Sequence, residues 1–134
     1  MKKIESICII DDDPITVFGV QKMLSLTVSC DNISSYVNGK KALDGIKKNL
    51  EEGANLPQVI FLDINMPIMD GWQFLEEFIA LPSEEKVRIN IITSSIDAHD
   101  KEKWEHYQTR TDHLITYNNK PLYKQQIAEI TQKA

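Results

Sequence analysis

No run of about 18 apolar residues occurs in the chain, so a membrane-crossing helix is not expected. The amino terminus, Met1-Lys2-Lys3-Ile4-Glu5, is basic, but Glu5 and the short apolar run ending at Asp11 rule against a signal peptide. Cysteine is scarce. Cys8 and Cys30 lie in apolar or strand-like segments and read as buried cytosolic thiols, neither a disulfide framework nor a metal site. A basic cluster is also missing. With a formal charge of −5, direct nucleic-acid binding by this domain is not expected. Low-complexity segments, linkers and internal repeats are absent too. What remains, at 134 residues, is a length that suits one domain with a substantial core, spanning residues 1–134.

Apolar runs and helical periodicities alternate along the chain. Ile4 to Ile10 reads as a strand, with Asp11-Asp12-Asp13 after it. Pro14 suits the first turn of a helix running to about Leu26, with Asp13 as its N-cap and Val17, Val20, Gln21 and Leu24 on the core stripe. A strand is expected around Val28–Ser34. Asn38-Gly39 then opens a helix with Ala42, Leu43, Ile46 and Leu50 at helical spacing, and Gly53 stops it.

Val59 to Leu62 is a strand buried on both faces, typical of a parallel sheet, and it ends in one acid, Asp63. Pro67 and Asp70-Gly71 make the next stretch a stiff loop before a helix from Gly71 to about Leu81, with Phe74, Leu75, Phe78 and Ile79 inward. Val87–Ile92 is a fourth strand, followed by Thr93-Ser94-Ser95. A polar helix covers Asp97–Gln108, a short strand covers His113–Tyr117, and a last helix carries Ile127 and Ile130. Five strand–helix units predict a parallel sheet with helices on both faces and right-handed crossovers.

Parallel strands share one carboxyl edge, where ligands of open α/β sheets bind. That edge collects Asp11-Asp12, Asp63, Thr93 and Lys120-Pro121. Three carboxylates within a few ångströms repel one another and raise each other's pKa unless a cation neutralises them. A hard divalent ion, Mg²⁺ above all, fits carboxylates, water and phosphate oxygens. Lys120 adds a mobile point charge and Thr93 a hydroxyl. Such a set suits an acyl phosphate on Asp63.

The ordered set Asp11-Asp12, Asp63 with Met66-Pro67 and Asp70-Gly71, Thr93, and Lys120-Pro121 resembles the receiver domain of two-component response regulators over nearly the whole chain. The resemblance implies a flavodoxin-like (βα)5 fold, a doubly wound five-stranded parallel sheet of order 2-1-3-4-5. It implies Asp63 as phosphoacceptor and Mg²⁺ on Asp12, Asp63 and the backbone carbonyl of Asn65, with Asp11 assisting through water and Mn²⁺ as a substitute ion. The phosphoryl donor would be a histidine kinase or a histidine phosphotransfer protein. Thr93 and Lys120 would engage the phosphate beside the small Ser94, Tyr117 would act as the rotating switch aromatic, and the bond before Pro121 would be cis. Asn65 and Ser95 stand where family members tune hydrolysis. Neither activates water well, so slow self-dephosphorylation is expected and no activity on other substrates.

Other readings compete at particular residues. Asp11-Asp12-Asp13 could be a capping run, Lys120 a surface lysine and Tyr117 an ordinary strand aromatic. Trp104 and Tyr107 are either core edge or partner surface; Ile15, Phe18 and Gly19 are either core or a kinase-docking patch. His99, His106 and His113 recur every seven residues, about 10.5 Å apart on a helix, too far for one Zn²⁺ with ligands at ~2.1 Å. They read as solvent-facing. A haloacid-dehalogenase-like phosphatase would need a second acid where Asn65 stands. Between Thr93 and Lys120 the chain is several residues longer than the most compact receivers, and helix 4 or the loop Thr109–Asp112 must absorb the excess. The chain runs out soon after the last helix, so the expectation is a cytoplasmic single-domain regulator acting by contact with an unknown protein target; the alternative is the receiver piece of a larger regulator with an output domain.

Overall fold

The computed structural model describes residues 2–134. Its elements, in chain order, are β1 (Lys2–Lys3), β2 (Ile7–Ile10), α1 (Pro14–Thr27), β3 (Val28–Ser29), β4 (Ile33–Tyr36), α2 (Gly39–Glu51), β5 (Val59–Asp63), α3 (Gly71–Phe78), β6 (Arg88–Thr93), α4 (Ala98–Gln108), β7 (Leu114–Asn119) and α5 (Lys124–Ile130). The main sheet is five-stranded, in the order β4-β2-β5-β6-β7, and every pairing in it is parallel. Counting only its strands along the chain, this is the expected order 2-1-3-4-5, a flavodoxin-like α/β fold.

Both faces are covered because successive side chains of a strand point to opposite sides. On β5, Ile60 and Leu62 join Cys8, Ile10, Ala42, Leu43, Ile46, Phe74, Leu75 and Phe78 under α2 and α3. Val59 and Phe61 join Ile7, Ile9, Val20, Leu24 and Ile127 under α1 and α5. The acid at the end of β5 is thus carried on a strand fixed from both sides.

Several boundaries depart from the expected ones. The strand foreseen over Val28–Ser34 is split in two. Val28–Ser29 pairs with Lys2–Lys3 in a separate two-stranded sheet, and only Ile33–Tyr36 joins the main sheet. The turn Cys30–Asn32 causes the break, its end held by the Ile7 N–H on the Asn32 carbonyl at 2.9 Å. The same division moves the start of β2 from Ile4 to Ile7, although Ile4 is buried. Cys30, expected to be buried, is half-buried on that turn, whereas Cys8 is fully buried. Helix α3 stops at Phe78, short of Leu81, and Gly53 closes α2 at φ +90°, a conformation natural to glycine.

His113 does not face solvent. Its Nδ1 accepts the Val87 N–H at 2.9 Å and its ring lies 5.6 Å from that of Phe78, so burial pushes its pKa down. The ring closes the end of the sheet where β6 and β7 begin. His99 and His106 are exposed, as expected. Trp104 and Tyr107 are half-buried and pack on the core, with the Trp104 indole donating to the Ile115 carbonyl at 2.9 Å. Helix α4 has no buried residue and is held through these aromatics. Ile15 and Phe18 are exposed, at 80% and 67%, and do not belong to the core.

Candidate functional site

Each acid is placed by local backbone requirements. Asp11 follows β2, and its N–H continues the ladder to the Tyr36 carbonyl at 3.1 Å. Its Oδ1 accepts the Asp13 N–H at 2.9 Å, while Asp13 itself caps α1 through the Ile15 N–H and the Thr16 hydroxyl. Asp63 is the last residue of β5, paired in register with Ile92, and its Oδ1 accepts the Asn65 N–H at 3.2 Å.

The loop after β5 is closed on itself. The Gly71 N–H donates to the Ile64 carbonyl at 3.1 Å, and a Cβ on Gly71 would sit 2.6 Å from both the Asp63 carbonyl oxygen and the Ile64 Cα. Only glycine fits there. Asp70 then starts α3 with a capping box to Gln73. Within the loop, before Asp70, Ile68 holds φ +72°, an uncommon conformation for a β-branched residue and a point of stored strain.

Carboxylate oxygens of Asp11, Asp12 and Asp63 lie within 4.8 Å of one another, the one such acidic cluster among the described residues. Asp11 is 1% exposed and Asp63 4%, while Asp12 is exposed. Lys120 reaches into the cluster, its Nζ 2.9 Å from Asp11 Oδ2 and 3.8 Å from Asp63 Oδ2. That approach makes a close ion pair without hydrogen-bond alignment. Among the described residues, Asp11 Oδ2 is the buried side-chain oxygen that lacks a hydrogen-bond partner. Burial, then the Asp11 charge, pushes the Asp63 carboxyl up to about 6; Asp12 adds to the rise, while Lys120 and the Asn65 N–H oppose it. One lysine does not balance three acids. An orphaned buried oxygen in a cluster of hard oxygen donors fits a divalent cation such as Mg²⁺ or Mn²⁺.

Thr93 ends β6 fully buried, its hydroxyl oxygen accepting the Ser95 N–H at 2.9 Å and its carbonyl accepting the Lys120 N–H at 2.7 Å. Ser94 is exposed beside it, and the Lys120–Pro121 peptide is cis. Tyr117 stands on β7 with its ring 5.6 Å from that of Trp104; burial, and the Asp100 and Asp97 carboxylates near it, push its phenol up. Asn65 is exposed. The side chain of Ser95, in contrast, is turned to α4, where its hydroxyl donates to Asp100 Oδ2 at 2.6 Å.

Two residues bound into this region carry no motif signal in the sequence. Asp100 lies in the first turn of α4, and its Oδ1 accepts the indole N–H of Trp72 at 3.2 Å. Trp72 is buried and stacks on Tyr107 at 5.8 Å with the rings 8° from parallel. The acid three residues after the Asp97 cap was the available clue; Ser95 lies nearby in sequence, but Trp72 comes from a distant segment.

Comparison with known proteins agrees with this geometry. Residues 7–132 match the family model described as the response regulator receiver domain. The chain is 29% identical over 124 residues to an uncharacterized response regulatory protein of Vibrio cholerae, a match covering 92% of this chain and 42% of that protein. It thus spans less than half the length of the curated relatives it matches. A two-component response regulator from Cytophaga hutchinsonii superposes with a TM-score of 0.80 at 29% identity, over 96% of this chain and 95% of that one. The Mn²⁺-bound form of the response regulator Rcp1 shares the fold at a TM-score of 0.73 and 21% identity, over 94% of this chain and 88% of that one. With the acidic cluster and the sheet order on one chain, and with a family match over residues 7–132, the protein belongs to the response regulator receiver domain family.

Proposed function

We propose that this domain is a phosphoacceptor switch in which Asp63 takes a phosphoryl group from the phosphohistidine of a histidine kinase or histidine phosphotransfer protein. The observation that carries this is the acidic cluster, buried at Asp11 and Asp63, with Lys120 reaching into it as an ion pair and Asp11 Oδ2 left without a hydrogen bond. An Asp63 oxygen forms the new bond to phosphorus as the bond to the donor imidazole breaks, and that ring keeps the electron pair. Asp11, Asp12, Asp63 and the backbone carbonyl of Asn65 would hold Mg²⁺, or Mn²⁺ in its place. The bound ion supplies charge neutralisation for the carboxylates and the incoming phosphoryl oxygens.

Lys120 offers a second positive charge to the phosphoryl oxygens, and its ion pair with Asp11 keeps it at the pocket mouth. The Thr93 hydroxyl is free to donate to the phosphoryl group, with Ser94 small and exposed beside it. Movement of Thr93 would be read by the Tyr117 ring, which makes β7 and its neighbours an output surface for an unknown protein target. Asn65 and Ser95 provide no base for water, which favours a long-lived phosphoryl group and no turnover of other substrates. Ile15 and Gly19 line a groove of about 250 Å³ with Pro121 and Leu122 beside Lys120, and with exposed Phe18 they suit a docking helix of the phosphoryl donor. A donor and target of this kind would be met in the cytoplasm.

Intact mass after incubation with acetyl phosphate is the test. One added phosphoryl group is expected in wild type with Mg²⁺, and none in Asp63→Ala or in EDTA. A folded wild-type protein that gains no mass would refute the proposal; rapid consumption of acetyl phosphate would instead mark a phosphatase.

A further inference from the structure

The two loops that follow Asp63 and Thr93 are tied together by one carboxylate. Thr93 Oγ1 accepts the Ser95 N–H at 2.9 Å, the Ser95 hydroxyl donates to Asp100 Oδ2 at 2.6 Å, and Asp100 Oδ1 accepts the Trp72 indole N–H at 3.2 Å. The Asp97 N–H donates to the same Ser95 oxygen at 3.1 Å, so this hydroxyl is held from two sides. At the far end Trp72 directly follows Gly71, which is wedged against the Asp63 and Ile64 backbone. An acid that merely favoured the start of α4 would point to solvent. Asp100 instead spends both oxygens on side chains from two other segments.

We infer that Asp100 is a positioning residue that couples Thr93 to α3, so that phosphorylation is read at Trp72 and its stacking partner Tyr107 as well as at Tyr117. The inference rests on the phosphoacceptor reading above. A Thr93 hydroxyl drawn toward a phosphoryl oxygen gives up its geometry to the Ser95 N–H. Ser95 is bound at its other end to Asp100, and Asp100 to Trp72, so a shift at one end changes the hydrogen bond at the other. The relay is short, and each link is a directional bond that weakens steeply when misaligned. Its output face differs from the Tyr117 face: Trp72 and Tyr107 are flanked by Lys103, Glu76 and Arg110, with Arg110 paired twice to Glu76 at 2.6 and 2.8 Å.

The indole N–H resonances of ¹⁵N-labelled full chain test this, assigned with Trp72→Phe and Trp104→Phe. Spectra are taken in Mg²⁺ and in Mg²⁺ with beryllofluoride, a phosphoryl analogue whose occupancy of Asp63 is followed by ¹⁹F signal and by its loss in Asp63→Ala. The wild-type Trp72 resonance is expected to move on analogue binding. In Ser95→Ala and Asp100→Ala that movement is expected to be largely lost although the analogue still binds. Asp100→Asn, which keeps an acceptor for the indole and a polar group for Ser95, is expected to restore it. Ser95→Ala removes one hydroxyl and keeps the test open if Asp100→Ala fails to fold. The Trp104 indole, bonded to Ile115 but in contact with Tyr117, serves as the control in the analogue-free spectra, where a general loosening of α4 in a variant would disturb it. Equal Trp72 movement in wild type, Ser95→Ala and Asp100→Ala would overturn the inference, as would bound analogue with no movement in wild type. Absence of bound analogue in wild type would overturn the phosphoacceptor reading itself.

Discussion

Asp63 is at once the proposed phosphoacceptor, buried at the end of β5, and an electrostatic burden. Its folded-state pKa of about 6 lies above the ordinary 3.8, so the folded protein binds this proton more tightly than the unfolded chain does. Stability is therefore lost as pH rises from about 4 to about 6, and the whole penalty is present above that window. In metal-free buffer Asp63→Asn is expected to be more stable than wild type at pH 7.5 by about 1–3 kcal/mol, with the gap closing toward pH 4. Urea denaturation in EDTA across that range checks it, and a gap independent of pH would refute it. Gly71 fails differently, because an added Cβ meets backbone rather than a movable side chain. Gly71→Ala is expected to cost about 1–3 kcal/mol, from overpacking, and to lower the rate of Asp63 phosphorylation by displacing the loop. Denaturation midpoints and adduct formation measured together would show both effects or neither.

At the scale of elements, helix α5 is attached by more than its apolar stripe. Asn90, wholly buried in β6, donates to the Ile130 carbonyl at 2.8 Å and accepts the Thr116 hydroxyl at 2.8 Å. A carbonyl in the last turn of a helix has no partner within the helix, and Asn90 supplies one. Asn90→Ala is expected to destabilise the fold by about 1–3 kcal/mol, since it strands the buried Ile130 carbonyl and takes the acceptor from the half-buried Thr116 hydroxyl. Amide exchange should rise first in α5 and leave α2 and α3 unchanged. Uniform exchange through all helices would mean that the bond does not anchor α5. The capping box of α3 and the N-cap of α1 play a parallel part on the other side of the pocket, fixing where each loop gives way to helix.

For the whole molecule, the proposed cation site at Asp11, Asp12 and Asp63 predicts a stability that depends on a divalent ion. Binding to the folded state alone stabilises by about 2.7 kcal/mol at a hundred times Kd, so Mg²⁺ should raise Tm in a saturable manner. Asp12→Asn is expected to weaken that response, although Asp12 is exposed and contributes little to the core. An equal Tm rise in wild type and Asp12→Asn would place the ion elsewhere. Removal by EDTA should return the wild-type value. No helix among the described residues is long and apolar enough to cross a membrane.

Much of this was legible in the residues themselves. Four-residue apolar runs ending in Asp11 or Asp63 declare buried parallel strands with acids at one edge, because the sheet puts all carboxyl ends together. Asp13, Asn38 and Asp70 announce helix starts, since capping is a local interaction between neighbours in sequence. What the sequence could not decide was every feature that depends on a distant partner. The division of Val28–Ser34 needed the pairing with Lys2–Lys3; the half-buried His113 needed the Val87 N–H. Asn90 looks like a misplaced polar residue until Thr116 and Ile130 stand beside it. Asp100 reads as one more acid on a polar helix until Trp72 and Ser95 close on its two oxygens. Local sequence determined where strands, caps and acids fall, because backbone sterics and burial periodicity act over a few residues. Only the tertiary structure decided which polar groups satisfy one another, because a buried hydrogen bond is made between segments that the chain separates and the sheet brings together.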